Sequence, residues 1–203
     1  MGTNAKGASP TAPPGVDADQ FRLALLEDTY EVIATLELVT AALALCPPDQ
    51  PDAEEVTWPD SPVIRMPVMS SASIAAATLT RLHELGAEQA AVVVGDAPDL
   101  PQLLLGKLFR GLARADAAAC AAEGGGLVAL AARLPVAAWL AAADVDLDAD
   151  DALDRLHAAT PSKRALSIGP GWHRIRRPED IGRLDPGLEG WDVTRALLSG
   201  HPW

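Results

Sequence analysis

The run Ala90-Ala91-Val92-Val93-Val94, followed at once by Gly95-Asp96-Ala97-Pro98-Asp99-Leu100-Pro101, constrains the fold more than any other stretch of the chain. Five apolar residues, rich in valine and too short for a helix, predict a strand buried on both faces of a parallel sheet. Glycine and aspartate end it abruptly. In open α/β sheets the loops leaving the carboxyl ends of the strands form the ligand crevice, so Asp96 is the first candidate for a functional residue. The competing reading is local: Asp96 or Asp99 caps a helix that opens with Pro101 in its first turn.

The rest of the chain alternates in the same manner. Residues 1–16 are small, polar and proline-rich, which predicts a flexible tail, with a single domain over 17–203. Asp17 and Gln20 resemble a capping box, and Leu25, Thr29, Val32 and Leu36 follow at helical spacing. Strands are predicted at 38–45, 63–66, 117–121, 127–132 and 165–168, and a further short one at 172–176. Between the first two of these, the proline- and acid-rich residues 47–62 read as a surface connection. Helices are predicted from Ser70 to Leu85, stopped by Gly86, and at 101–115, and a helix reaching Ala159 follows an acidic loop. Pro178 and Trp191 open two more. The acidic run Asp144 to Asp151 fails as a calcium loop, because Ala149 stands where glycine is required and Arg155 where the bidentate glutamate belongs. This succession predicts an α/β protein: a three-layer, mostly parallel (mixed) sheet flanked by helices.

Charge narrows the function classes. A formal net charge of -12, with 16 Lys and Arg among 28 Asp and Glu, opposes a nucleic-acid surface, which needs clustered cations. No stretch of 18 uninterrupted apolar residues occurs, so no membrane span is expected. Without a basic and then apolar amino-terminal pattern the expected location is cytoplasmic. Cys46 and Cys120 lie far apart in apolar segments and read as buried thiols.

Three segments, in order, resemble the nucleotide-diphospho-sugar transferase superfamily with the GT-A fold, in particular its small bacterial glycosyltransferase-like branch related to the phospholactate guanylyltransferases. Val94-Gly95-Asp96-Ala97-Pro98-Asp99-Leu100 is similar to Gly-Ser-Asp-x-Pro-Asp-Leu after a strand. Ala121-Ala122-Glu123-Gly124-Gly125-Gly126 resembles Pro-Ala-Glu-Asp-Gly-Gly. Arg174-Ile175-Arg176-Arg177-Pro178-Glu179-Asp180-Ile181 resembles Asp-Val-Asp-Thr-Pro-Glu-Asp-Leu. Phe21 to Thr29 resembles the first long helix, and the likeness spans about residues 17–185.

The resemblance implies a nucleotide or sugar nucleotide at the carboxyl ends of the strands, with Asp96, Asp99, Glu123, Gly125, Gly126, Arg174 and Arg176 as binding positions. It also implies a divalent cation, Mg2+ or Mn2+, held on the side of Asp96. The departures point the other way. Before Phe21 the stretch offers only Lys6 as a cation where the family has a Lys-Thr-Arg-Leu phosphate loop. Arg174 and Arg176 replace two aspartates of the third motif, placing positive charge where a metal ion should sit. The expectation is therefore a divergent nucleotidyl- or glycosyl-transferase-like protein with catalysis weakened or lost. If activity persists, Arg174, Arg176 and Arg177 would serve as a cationic clamp on phosphate. The alternative is a non-catalytic scaffold or homo-oligomeric interaction protein, for which Trp172, Trp191 and Trp203 provide residues common at protein contacts.

Overall fold

A computed structural model describes residues 10–188 and 190–200 of the chain. They form two compact units, and the chain passes between them more than once.

The first unit is described for Val68–Val94 and Leu103–Trp172. Its centre is a four-stranded sheet of β3 (Gln89–Val93), β5 (Leu127–Arg133), β4 (Ala117–Ala121) and β6 (Leu166–Ile168), in that spatial order. β5 runs antiparallel to both β3 and β4, whereas β4 and β6 are parallel. The sheet is mixed, and the strand from Ala90 onward is not the centre of a parallel ladder. The cause lies downstream: the short turn after β4 sends the chain straight back as β5, which inserts between β4 and β3. Among the described residues β3 is also an edge strand, and Ala91 to Val94 are half-buried rather than buried on both faces as expected; an apolar run carries no signal of strand direction or of its place in the sheet.

Alternation along the strands divides this sheet between two helical layers. Ala117, Ala119, Leu130, Ala132 and Leu166 belong to one buried cluster with Leu79 of α3 (Ser71–Glu84), Leu140 of α5 (Ala138–Ala142) and Leu156 of α6 (Ala152–Ala159). Ala118 and Ser167 are register partners and meet the carboxyl end of α4 (Gln102–Gly111). A Cβ on Gly111 would lie 2.8 Å from Ser167 Oγ and 3.3 Å from the Ala118 Cβ. Alanine on the strands and glycine on α4 thus allow the helix to approach closely. The expected helix–sheet–helix layering is present in this unit.

The second unit gathers three separate pieces of chain: residues 10–67, Gly95–Gln102 and the described residues from His173 onward. α1 (Ala18–Ala34) begins where the sequence places it, and Asp17 Oδ1 accepts the Asp19 and Gln20 N–H groups at 3.0 and 2.9 Å. One face of α1 buries Phe21 and Leu25 with Ile175, Leu184 and Trp191. Leu23 and Leu26 pack instead on Leu43, Leu45 and Ala53. That second cluster joins β1 (Leu43–Leu45), α2 (Pro51–Glu54) and β2 (Val63–Arg65), with β1 and β2 paired in parallel. Tyr30 Oη donates to Ser61 Oγ at 2.6 Å and accepts the Trp58 N–H at 3.2 Å, tying the long connection to α1.

The predicted tail divides: residues 1–9 lie outside the described residues, while the Thr11 N–H donates to the Arg176 carbonyl and Ala12 and Val16 pack on the Phe21 cluster. The strand expected at 172–176 is reduced to one parallel bridge, between Ala122 and Trp172. Pro178–Arg183 forms a 3-10 helix, and α7 (Asp192–Leu198) follows. Trp203 lies outside the described residues. Among the described residues no helix is long and apolar enough to cross a membrane.

Candidate functional site

Asp96 and Asp99 lie on the loop that follows β3, in the second unit, and both are buried. Their partners come from the segment that begins at His173. Arg174 donates through Nε to Asp96 Oδ1 at 2.7 Å and through Nη2 to Oδ2 at 2.8 Å, a bidentate fork with each side chain only 6% exposed. His173 Nε2 lies 3.0 Å from both carboxylate oxygens of Asp99. The backbone makes a third link, from the Ile175 N–H to the Asp96 carbonyl at 2.8 Å. Ile175 itself is buried with Phe21 and Leu25, so the apolar residue between two arginines anchors the segment that presents them.

This arrangement decides the fit of a divalent cation. Coordination would require an Asp96 oxygen, and both already accept from a guanidinium whose charge repels a metal ion at that position. Asp99 is likewise engaged by His173. Among the described residues no group of three or more His, Cys, Asp or Glu side chains is placed to hold a metal ion. The residues present at Asp96 do not fit Mg2+ or Mn2+.

The three arginines differ in what they can offer. Arg174 is buried and committed to Asp96. Arg176 is half-buried; its N–H donates to Asp180 Oδ2 at 3.1 Å, and its carbonyl accepts from Thr11. Arg177 is exposed, with its own N–H on the same Asp180 oxygen at 3.0 Å. Asp180 therefore fixes the backbone from which both side chains project. A clamp in which Arg174 grips phosphate through its Nε–Nη2 edge would first have to break a buried ion pair.

Glu123, Gly125 and Gly126 belong to the other unit and form the turn between β4 and β5. Gly124, Gly125 and Gly126 all have positive φ, at 86°, 106° and 83°, so the turn requires its glycines. Gly125 also has a neighbour: a Cβ there would lie 2.6 Å from Asp150 Oδ1 and 3.1 Å from the Asp150 Cα. The close approach that glycine permits at 125 is made by the acidic loop. That loop is tied down by the Leu127 N–H to the Leu147 carbonyl at 2.8 Å, by Asp146 Oδ1 accepting the Asp148 N–H, and by Ser71 Oγ donating to Asp146 Oδ2 at 2.5 Å. Glu123 is exposed, and its N–H donates to the Trp172 carbonyl.

Two further polar residues were not singled out from the sequence. His173 is the partner of Asp99, and nothing but its place beside the arginines hints at that. Asp28 is fully buried on α1 and accepts the Val193 and Thr194 N–H groups at 3.0 and 2.7 Å, capping α7. Its signal was present: it is an acid three residues after Leu25 and four before Val32, on the apolar face of a helix.

No family model matches the chain, and no curated protein matches it. Solved structures do. A protein of Desulfovibrio desulfuricans G20 assigned as a nucleotide-diphospho-sugar transferase matches with a TM-score of 0.67 at 14% identity, over 91% of this chain and 85% of that one. A 4-diphosphocytidyl-2C-methyl-D-erythritol synthase matches more loosely, with a TM-score of 0.47 at 18% identity over 85% of this chain and 90% of that one. At such identity a likeness concerns the path of the backbone and says nothing of chemistry. From the first of these matches and the mixed, helix-flanked sheet, the chain has a nucleotide-diphospho-sugar transferase-like fold.

Proposed function

We infer that this protein binds a nucleotide or sugar nucleotide at the carboxyl ends of its sheet strands and has lost metal-dependent transfer. The carrying observation is the buried bidentate pair of Asp96 and Arg174. In a metal-assisted transfer the ion neutralises charge that develops on phosphate oxygens, and a carboxylate holds the ion in place. Here that carboxylate is occupied by a cation of the chain itself. A phosphate that drew the Nε–Nη2 edge of the guanidinium away from Asp96 would break a buried ion pair, a change that typically costs about 3–5 kcal/mol.

Ligand recognition then falls to groups outside that pair. Arg177 is exposed, Arg176 is half-buried, and Asp180 holds the backbone of both. Support for the binding half of the reading is the fold, together with the position of Asp96 at the end of β3. A second reading, a scaffold that keeps only the fold, is favoured by the internal pairing of His173 with Asp99 and of Arg174 with Asp96.

The test is calorimetric titration with nucleoside triphosphates and sugar nucleotides, with and without Mg2+ or Mn2+, alongside an assay for turnover. The expected result is binding of at least one ligand with an affinity that changes less than twofold on adding metal, and no turnover. Metal-dependent turnover would overturn the reading, and absence of binding across the panel would leave the scaffold.

A further inference from the structure

We propose that the protein associates head to tail with a second copy of itself: the basic outer face of α4 in one copy receives the acidic, tryptophan-bearing stretch 49–60 of the next. The inference goes beyond nucleotide binding and does not rest on it.

The chain carries a net charge of -12, yet residues 101–115 hold Lys107, Arg110 and Arg114 and no acid, and residues 161–172 hold Lys163 and Arg164 and no acid. All five cations are exposed. The fold brings the two stretches together. The Ala165 carbonyl accepts the Asp116 and Ala117 N–H groups at 3.0 and 3.1 Å, which sets the turn of Lys163 and Arg164 beside the carboxyl end of α4. Lys107 and Arg110 follow Leu103 at helical spacing on the solvent side of α4, and Leu103 is itself 66% exposed. A Cβ on Gly106 would meet nothing within 4 Å, so this face is open. Among the described residues none of the five cations makes an ion pair, whereas Arg65, Arg81 and Arg155 each have one. Asp116, the acid next in sequence to Arg114, is half-buried and accepts from Trp139 Nε1.

The complement lies on the same chain. No Lys or Arg occurs between Arg22 and Arg65, and Asp49, Asp52, Glu55 and Asp60 are exposed within that interval. Trp58 stands among them, 46% exposed, although its N–H is held by Tyr30 Oη and the same hydroxyl donates to Ser61. The stretch is therefore presented in a fixed form, with little ordering left to cost on association. Exposed ion pairs contribute little singly, so an apolar anchor is needed, and Trp58 and Leu103 supply one on each side. Average repulsion between two copies at -12 selects approaches in which the basic face leads. Because the two faces differ, each pairing leaves one of either kind unused, and the assembly closes into a ring or grows.

The experiment follows sedimentation of the full chain over a concentration range at about 0.1 M and 1 M NaCl, between which the Debye length shrinks from about 10 Å to about 3 Å. Wild type is expected to form species larger than a monomer at the lower salt and to dissociate at the higher. Lys107→Glu with Arg110→Glu reverses one face, and Asp52→Lys with Glu55→Lys reverses the other. Each variant alone should self-associate more weakly by roughly tenfold. Mixed in equal amounts they should form a dimer and nothing larger, because each retains the face that the other needs. Wild type that stays monomeric at the lower salt would overturn the proposal and leave the α4 face to an acidic segment of another protein. Association that salt does not weaken, a variant that associates as tightly as wild type, or a mixture without the dimer would also overturn it. Should a reversed variant fold poorly by circular dichroism, Trp58→Ala is expected to weaken wild-type association, and unchanged association would count against the proposal equally.

Discussion

Asp28 shows how much one side chain can set. Burial pushes its carboxyl up to about 6 from an ordinary value of 3.8; bonds from Thr194 and Val193 oppose the rise, and Glu27 adds to it. Between those two values the folded chain holds a proton that the unfolded chain has released. The stabilisation linked to that proton is complete below about pH 3.8 and is lost as the pH rises through about 6, with a total span of roughly 3 kcal/mol at most. Asp28→Asn removes the titration and keeps one acceptor for the α7 N–H groups. Its melting temperature should therefore fall less steeply than that of wild type between pH 4 and 6.5, and parallel curves would show that Asp28 does not control the slope. The two cysteines differ in a similar way. Burial pushes the Cys120 thiol up to about 12, and it donates to the Pro170 carbonyl at 3.0 Å, whereas Cys46 is only half-buried. A thiol reagent should label Cys46 in the native protein and Cys120 only on unfolding; equal labelling rates would contradict the assigned burial.

At the scale of elements, the β4–β5 turn is the most demanding. Gly125→Ala must place a side chain at a φ of 106° and against the Asp150 backbone, which should cost about 1–3 kcal/mol. Gly124→Ala faces the φ penalty but open space, and should be the milder change in a thermal melt. Greater damage at 124 than at 125 would contradict the contact with Asp150. Much of this level was legible in the chain: β4 lies at the residues predicted, α1 begins at its predicted cap, and α3 ends just before Gly86. Apolar spacing and caps act locally, so local reading finds them. Strand direction, the short α2 inside a proline-rich stretch and α5 in an alanine run were not legible, because tertiary packing decides them. The site divides similarly. Arginine in place of two aspartates was visible in the sequence, but the fork between Arg174 and Asp96 joins residues 78 apart and no local pattern encodes it.

On the scale of the whole molecule, the second unit depends on pieces of chain that are distant in sequence. Residues from His173 onward supply Ile175, Leu184 and Trp191 to the cluster of Phe21 and Leu25, the side-chain partners of Asp96 and Asp99, and the helix capped by Asp28. Ending the chain after Trp172 should abolish protection of α1 amides in hydrogen exchange; full protection of α1 in such a truncation would contradict this dependence. The same discontinuity orders events during synthesis. At 5–20 residues per second, Asp96 is made roughly 4–16 s before Arg174. During that interval Phe21, Leu25 and two carboxylates destined for burial lack their partners on the ribosome. The segment that begins at His173 thus decides when the Phe21 face is closed: until Ile175, Leu184 and Trp191 have been made, that apolar face has nothing to cover it.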